Sequence, residues 1–110
     1  MNKNENCKNA DILLTIMGIK KPELVSNINV TDITFAFISE IVDKLDIEVS
    51  KIENKSNIKN NDISRIIDIQ IILPYIALCM VDLPYEEPLH KKLRKLNRKC
   101  KKNLDKVDPL

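Results

Sequence analysis

The chain is predicted to be all-α. Three observations predict it. Apolar residues recur at helical spacing in separate stretches. Short polar or Pro- and Gly-marked breaks lie between those stretches. The core must be aliphatic, because aromatic residues are only 4% of the chain and apolar residues, chiefly Ile, are 44%. The expected order is a short helix, one long helix and another short helix, followed by a C-terminal extension that contains a basic amphipathic helix.

Each element has its own signals. Residues 1–8 are polar, rich in Asn and Lys, and expected to be disordered. Asn9 can cap the first helix, with Asp11 in its first turn. Ile12, Leu13, Ile16 and Met17 make one apolar stripe. Gly18, the only glycine, is expected to close the helix in the left-handed conformation, and Pro22 to prevent continuation. Residues 19–30 read as a loop with an extended piece at Leu24 and Val25.

The long helix is expected over 31–55, capped by Asn29 or Thr31, with Asp32 in its first turn. Ile33, Phe37, Ile41, Leu45, Val49 and Ile52 form its main stripe, and Ala36, Ile38 and Val42 widen it. Glu40 and Lys44 stand at i, i+4 in the favourable order. A polar loop, 56–60, precedes a third helix capped by Asn60 or Asn61. Ile63, Ile66, Ile67 and Ile71 would be its inward face, and Pro74 would end or kink it. The segment 75–81 is apolar. Pro84 and Pro88 bracket a linker. Leu89, Leu93, Leu96, Cys100 and Leu104 then recur at spacings of four, three, four and four, an amphipathic helix with a basic back. The domain reading is therefore 1–8 as a polar N-terminus, 9–82 as the helical domain with an extended third-helix region, and 83–110 as the linker and basic helix.

Charge is divided unevenly. Residues 89–102 hold eight cations and no acid, which leaves ten basic against sixteen acidic residues elsewhere. The three cysteines (Cys7, Cys79, Cys100) are widely spaced and there is one His, so neither a disulfide framework nor a zinc site is expected, and the thiols read as reduced and intracellular. The first nine residues lack the apolar run of a secretion signal. The apolar stretch 66–81 is short for a bilayer and is interrupted by Asp68, Gln70 and Pro74, so a core helix is the better reading.

The apolar face of the long helix raises a question of coverage. Each buried Ile or Leu contributes roughly 1.5–3 kcal/mol. Two short neighbours would leave a contiguous patch that monomers rarely tolerate. A second chain crossing its long helix over this one would cover it. The alternative is a self-contained bundle in which 75–81 and 89–104 fold back as additional helices.

Short–long–short helices are the unit of the histone fold. The run DILLTIMGI, with Met17, Gly18 and Ile19, resembles the first helix of the TBP-associated factor nine family. Phe35-Ala36-Phe37 and Asn61-Asp62-Ile63 are similar to that family's long helix and to the start of its third helix. The stretch 84–110, with its Pro turn, basic helix and Pro109-Leu110, is similar to the segment after its histone fold. The resemblance covers 10–70 well and 84–110 weakly, and the segment 71–81 is longer and more apolar than the family's connector. It implies a histone-three-like nuclear subunit of TFIID- and SAGA-type assemblies, without catalytic residues or cofactor. The subunit would pair with a histone-four-like TBP-associated factor (factor six) and meet other subunits; promoter DNA is a separate expectation that rests on the charge of the basic tail. The interface positions it implies are Ile33, Phe37, Ile38, Ile41, Leu45, Val49, Ile63 and Ile67.

Chemistry finds no footing in the sequence. His90 has no ligand or base partner at helical spacing, one glycine cannot build a phosphate loop, and Asp43, Asp46 and Glu48 read as a solvated polar face. No metal, cofactor, small-molecule substrate or membrane is expected, and the chain reads as non-enzymatic. The basic helix, with Lys91, Lys92, Arg94, Lys95, Arg98 and Lys99, has three readings. It contacts nucleic-acid phosphates, lies on an anionic membrane, or packs its leucines on a partner subunit while its cations face acidic neighbours. The rival to the pairing subunit is a small helical nucleic-acid-binding protein that uses 89–104.

Overall fold

The computed structural model describes residues 3–28, 33–81 and 83–106, and it is all-helical over them. Among the described residues, four helices of similar length, α1 (Lys3–Lys20), α2 (Phe35–Glu53), α3 (Asn60–Val81) and α4 (Glu87–Asp105), are joined by short connections, and a 3-10 turn stands at Pro22–Leu24. The expected short–long–short order is not what forms. The four helices have 18, 19, 22 and 19 residues.

The differences have local causes. Helix α1 begins at Lys3, inside the stretch expected to be disordered, so Asn9 sits within the helix rather than at its cap. Gly18 does not close α1. The helix runs on to Lys20, and no described glycine has a positive φ. The left-handed residue is Asn27, with φ 71°, in the turn after the 3-10 segment, a conformation Asn tolerates. Leu24 and Val25 accordingly lie in a turn, not in an extended piece.

Helix α2 is capped by Thr34, whose hydroxyl accepts from the Phe37 N–H at 3.2 Å. The earlier cap candidates Asn29 and Thr31, together with Asp32, lie outside the described residues, as do Pro109 and Leu110. Glu40 and Lys44 pair at 3.2 Å as their spacing predicts.

Helix α3 starts with a device that replaces the Asn60 or Asn61 cap. The Lys59 carbonyl accepts from the Ile63 N–H at 3.1 Å, and the Asp62 carboxylate reaches back to the Lys59 N–H at 3.0 Å. This is the second half of a capping box. Pro74 neither ends nor breaks α3. An internal Pro costs a helix about 3 kcal/mol. Ile72, Leu73, Ile76, Cys79 and Met80 are buried on both sides of it, which outweighs that cost.

The core is one aliphatic cluster. Leu13 and Met17 of α1, Ile38, Ile41, Val42, Leu45, Val49 and Ile52 of α2, Ile66, Ile69, Ile72 and Ile76 of α3, and Leu96 and Cys100 of α4 are at most 1% exposed. Helix α3 packs against α1, α2 and α4, and α4 packs against both α2 and α3. The self-contained bundle is therefore the arrangement observed. The segment 75–81 continues α3, and 89–104 folds back within α4.

Candidate interaction surfaces

Three surfaces of the bundle carry the groups that sequence reasoning singled out: the seam between α2 and α4, the outer side of α4, and the outer side of α3.

The seam is electrostatic at its edge and apolar within. Leu89, Leu96, Cys100 and Asn103 of α4 are buried, and Leu93 and Leu104 pack partly against the core. Lys92 Nζ lies 3.0 Å from Asp43 and 3.1 Å from Ser39 Oγ, while Lys99 Nζ lies 2.9 Å from Asp46 and 3.0 Å from Ser50 Oγ. Both lysines thus clamp α4 to one row of α2. The expectation that leucines of this helix pack on a partner subunit is corrected. They are covered by their own chain, and the acidic neighbours of Lys92 and Lys99 belong to α2.

The carboxylates once grouped as a solvated face are all engaged in ion pairs, since Glu48 holds the ammonium of Lys21, which is 5% exposed. Asp62 is likewise buried. The Lys55 ammonium at 2.8 Å and the Lys59 N–H hold its carboxyl below the usual carboxylate range. Burial, reinforced by the Asp46 charge, pushes the Cys100 thiol up to about 11. The Cys79 thiol donates to the Asn9 carbonyl at 3.4 Å. His90 stacks on Tyr85, with ring centroids 4.6 Å apart. The Tyr85 hydroxyl, and then the Arg94 guanidinium, lower the Glu87 carboxyl. No cluster of His, Cys, Asp and Glu suited to a metal occurs among the described residues.

On the outer side of α4, Lys91, Arg94, Lys95, Arg98, Lys101 and Lys102 are exposed. Lys91, Lys95, Arg98 and Lys102 follow one another at four, three and four residues, a single line along the helix. Of the six, only Arg94 has an ion pair among the described residues, with Glu87 at 3.1 Å.

The interface positions implied by the resemblance separate into two groups. Ile38, Ile41, Leu45 and Val49 are at most 1% exposed, and Ile33, Phe37 and Ile63 are half-buried, with Ile33 and Phe37 packed on the core. None of these seven presents an open face. They are occupied because α3 and α4 cover the side of α2 that a second chain was expected to cover. Ile67 alone stands out, at 43% exposure. It opens a row that the sequence reading misassigned. Ile67 and Ile71 were expected to face inward, yet both are exposed, and Pro74, Leu78 and Val81 extend the same row. The signal that separates them was present. The set 66, 69, 73, 76, 80 is an equally good helical stripe and takes the inward face instead. Beside the exposed row, Gln70, Pro74 and Ala77 of α3 and Leu93, Arg94 and Asn97 of α4 line a shallow groove.

Helix α3 is long and apolar enough to cross a membrane by length and composition. Eight of its residues, including Asp62, are buried in the bundle.

No protein-family model, no curated protein and no solved structure matches the chain.

Proposed function

We propose that the chain is a non-enzymatic pairing subunit that presents the outer face of α3 to a helix of another protein. The observation that carries this is the row Ile67, Ile71, Pro74, Leu78 and Val81. Its aliphatic members are 38–76% exposed, and the row recurs at four, three, four and three residues. That is the a/d spacing of a two-helix seam. Over 14 residues it extends about 21 Å, long enough for three to four turns of an apposed helix. Apolar rows of this kind mark interaction sites. Arg94 stands at the edge of the adjoining groove, so the fitting occupant is an amphipathic helix with a carboxylate flanking its apolar stripe.

The resemblance to the TBP-associated factor nine family supplies the identity of the proposed partner, a histone-four-like chain of a TFIID- or SAGA-type assembly in the nucleus. The route of pairing differs from the histone handshake. Helix α2 is spent on its own bundle, and α3 is the open element. Folding therefore precedes pairing, and the chain is expected to be soluble and folded without its partner.

The test is co-expression with the histone-four-like factors of its source, read by light scattering after gel filtration. The expected result is a 1:1 complex that Ile71→Glu and Leu78→Glu each abolish while the free chain keeps its helical circular dichroism. The proposal is overturned by a complex that survives both substitutions, by self-association through the same row, or by a chain that stays monomeric with every such factor.

A further inference from the structure

We infer that the outer face of α4 is a binding site for the phosphate backbone of duplex nucleic acid, separate from the α3 surface. The placement of the cations argues for it. Lys91, Lys95, Arg98 and Lys102 lie on one line of a 19-residue helix, all exposed. Their rise from first to last is about 16 Å, in steps of roughly 4.5–6 Å. Lys101 flanks the line, on the side where Arg94 is paired with Glu87.

The field of this face is unopposed. The acids of α2 nearest to α4, Asp43 and Asp46, stand at the edge of the seam, away from the outer line, and are paired with Lys92 and Lys99. Glu87 and Asp105 stand only at the two ends of α4, and between them, from 88 to 104, the helix carries no acid. A body that is net acidic elsewhere thus concentrates its positive charge on one edge. An arrangement without function would spread these cations, because like charges at i, i+4 destabilise a helix.

The occupant follows from what the face lacks. Leu89, Leu93 and Leu96 point into the bundle, so the helix has no apolar side to insert into a bilayer. Its outer line holds no aromatic residue on which unpaired bases could stack. What remains is a rigid rod of point charges, which suits a polymer carrying one charge per 1.7 Å of its axis. Binding of this kind positions the protein and reads no sequence.

The experiment is fluorescence anisotropy of the intact chain with a 20-base-pair duplex of arbitrary sequence, from 50 to 200 mM NaCl. Four phosphate contacts give a log–log salt slope of about −3.6, a loss of roughly 150-fold in affinity across that range. The triple change Lys95→Gln, Arg98→Gln and Lys102→Gln is expected to bring the slope to about −1. The charge-keeping triple Lys91→Arg, Lys95→Arg and Lys102→Arg is expected to retain binding. Circular dichroism of both variants should match the parent, since all the positions are exposed. Ile71→Glu should leave the binding unchanged. The inference is overturned by no binding at 50 mM NaCl, by an unchanged slope in the Gln variant, or by tighter binding to polyglutamate or to anionic vesicles than to the duplex.

Discussion

Lys99 on α4 places its ammonium 2.9 Å from Asp46 on α2 and 3.0 Å from Ser50 Oγ, one helical turn further along the same face of α2. This clamp, with its counterpart Lys92–Asp43, decides which cations of α4 face inward and so which remain for the outside. A double-mutant cycle on Lys99 and Asp46 should give a coupling of roughly 0.5–1 kcal/mol at low salt, falling in 1 M NaCl. The more exposed Lys92–Asp43 pair should sit near the bottom of that range. No coupling in either pair would mean that α4 is held by its leucines alone.

Gly18 lies in helical conformation inside α1, and a Cβ built on it meets nothing within 4 Å. Gly18→Ala should therefore stabilise the chain by roughly 0.5–1 kcal/mol, through the lower entropy of the unfolded state. Thermal or urea unfolding measures it. A loss of stability would restore the left-handed helix stop that the sequence alone suggested.

Asp62 ties stability to pH. Its folded pKa is held below the ordinary value by Lys55 and the Lys59 N–H. A depressed carboxylate contributes stability that is fully present above the unfolded pKa, near 4, and is lost as pH falls through the folded value. The melting-temperature gap between the parent and Asp62→Asn should thus be widest near neutrality and close in acid. A gap that stays constant down to pH 2 would rule out this carboxylate as the source.

Cys100 is fully buried, with its thiol raised to about 11. At pH 8 its thiolate fraction is lower than that of a free cysteine by on the order of a hundredfold. Timed alkylation followed by peptide mapping should show Cys100 modified only as fast as the bundle opens, with the rate rising in sub-denaturing urea. Prompt labelling in the native state would contradict the packing of α4 on α2.

The helical class, the inward residues of α2 from Ile38 to Ile52, and the amphipathic character of α4 were legible because they depend on spacing within one helix. The ends of elements were not. Nothing in the local pattern shows that Pro74 is carried through α3 by Ile72, Leu73 and Ile76, that Asp62 rather than an Asn closes the helix start, or that α1 continues past Gly18. The candidate site was half legible. The basic line of α4 is written in its residues, whereas the inward assignment of Ile67 and Ile71 was wrong because two overlapping stripes compete on α3 and periodicity does not rank them.

By itself the sequence determined which faces are greasy, which are charged, and that the chain would be helical, since side-chain direction along a helix follows from a period of 3.6 residues. Only the tertiary structure decided what covers each face. Coverage is set by contacts between residues some fifty positions apart, such as Lys99 and Asp46. Those contacts closed the side of α2 that a second molecule was expected to fill and left α3 open in its place.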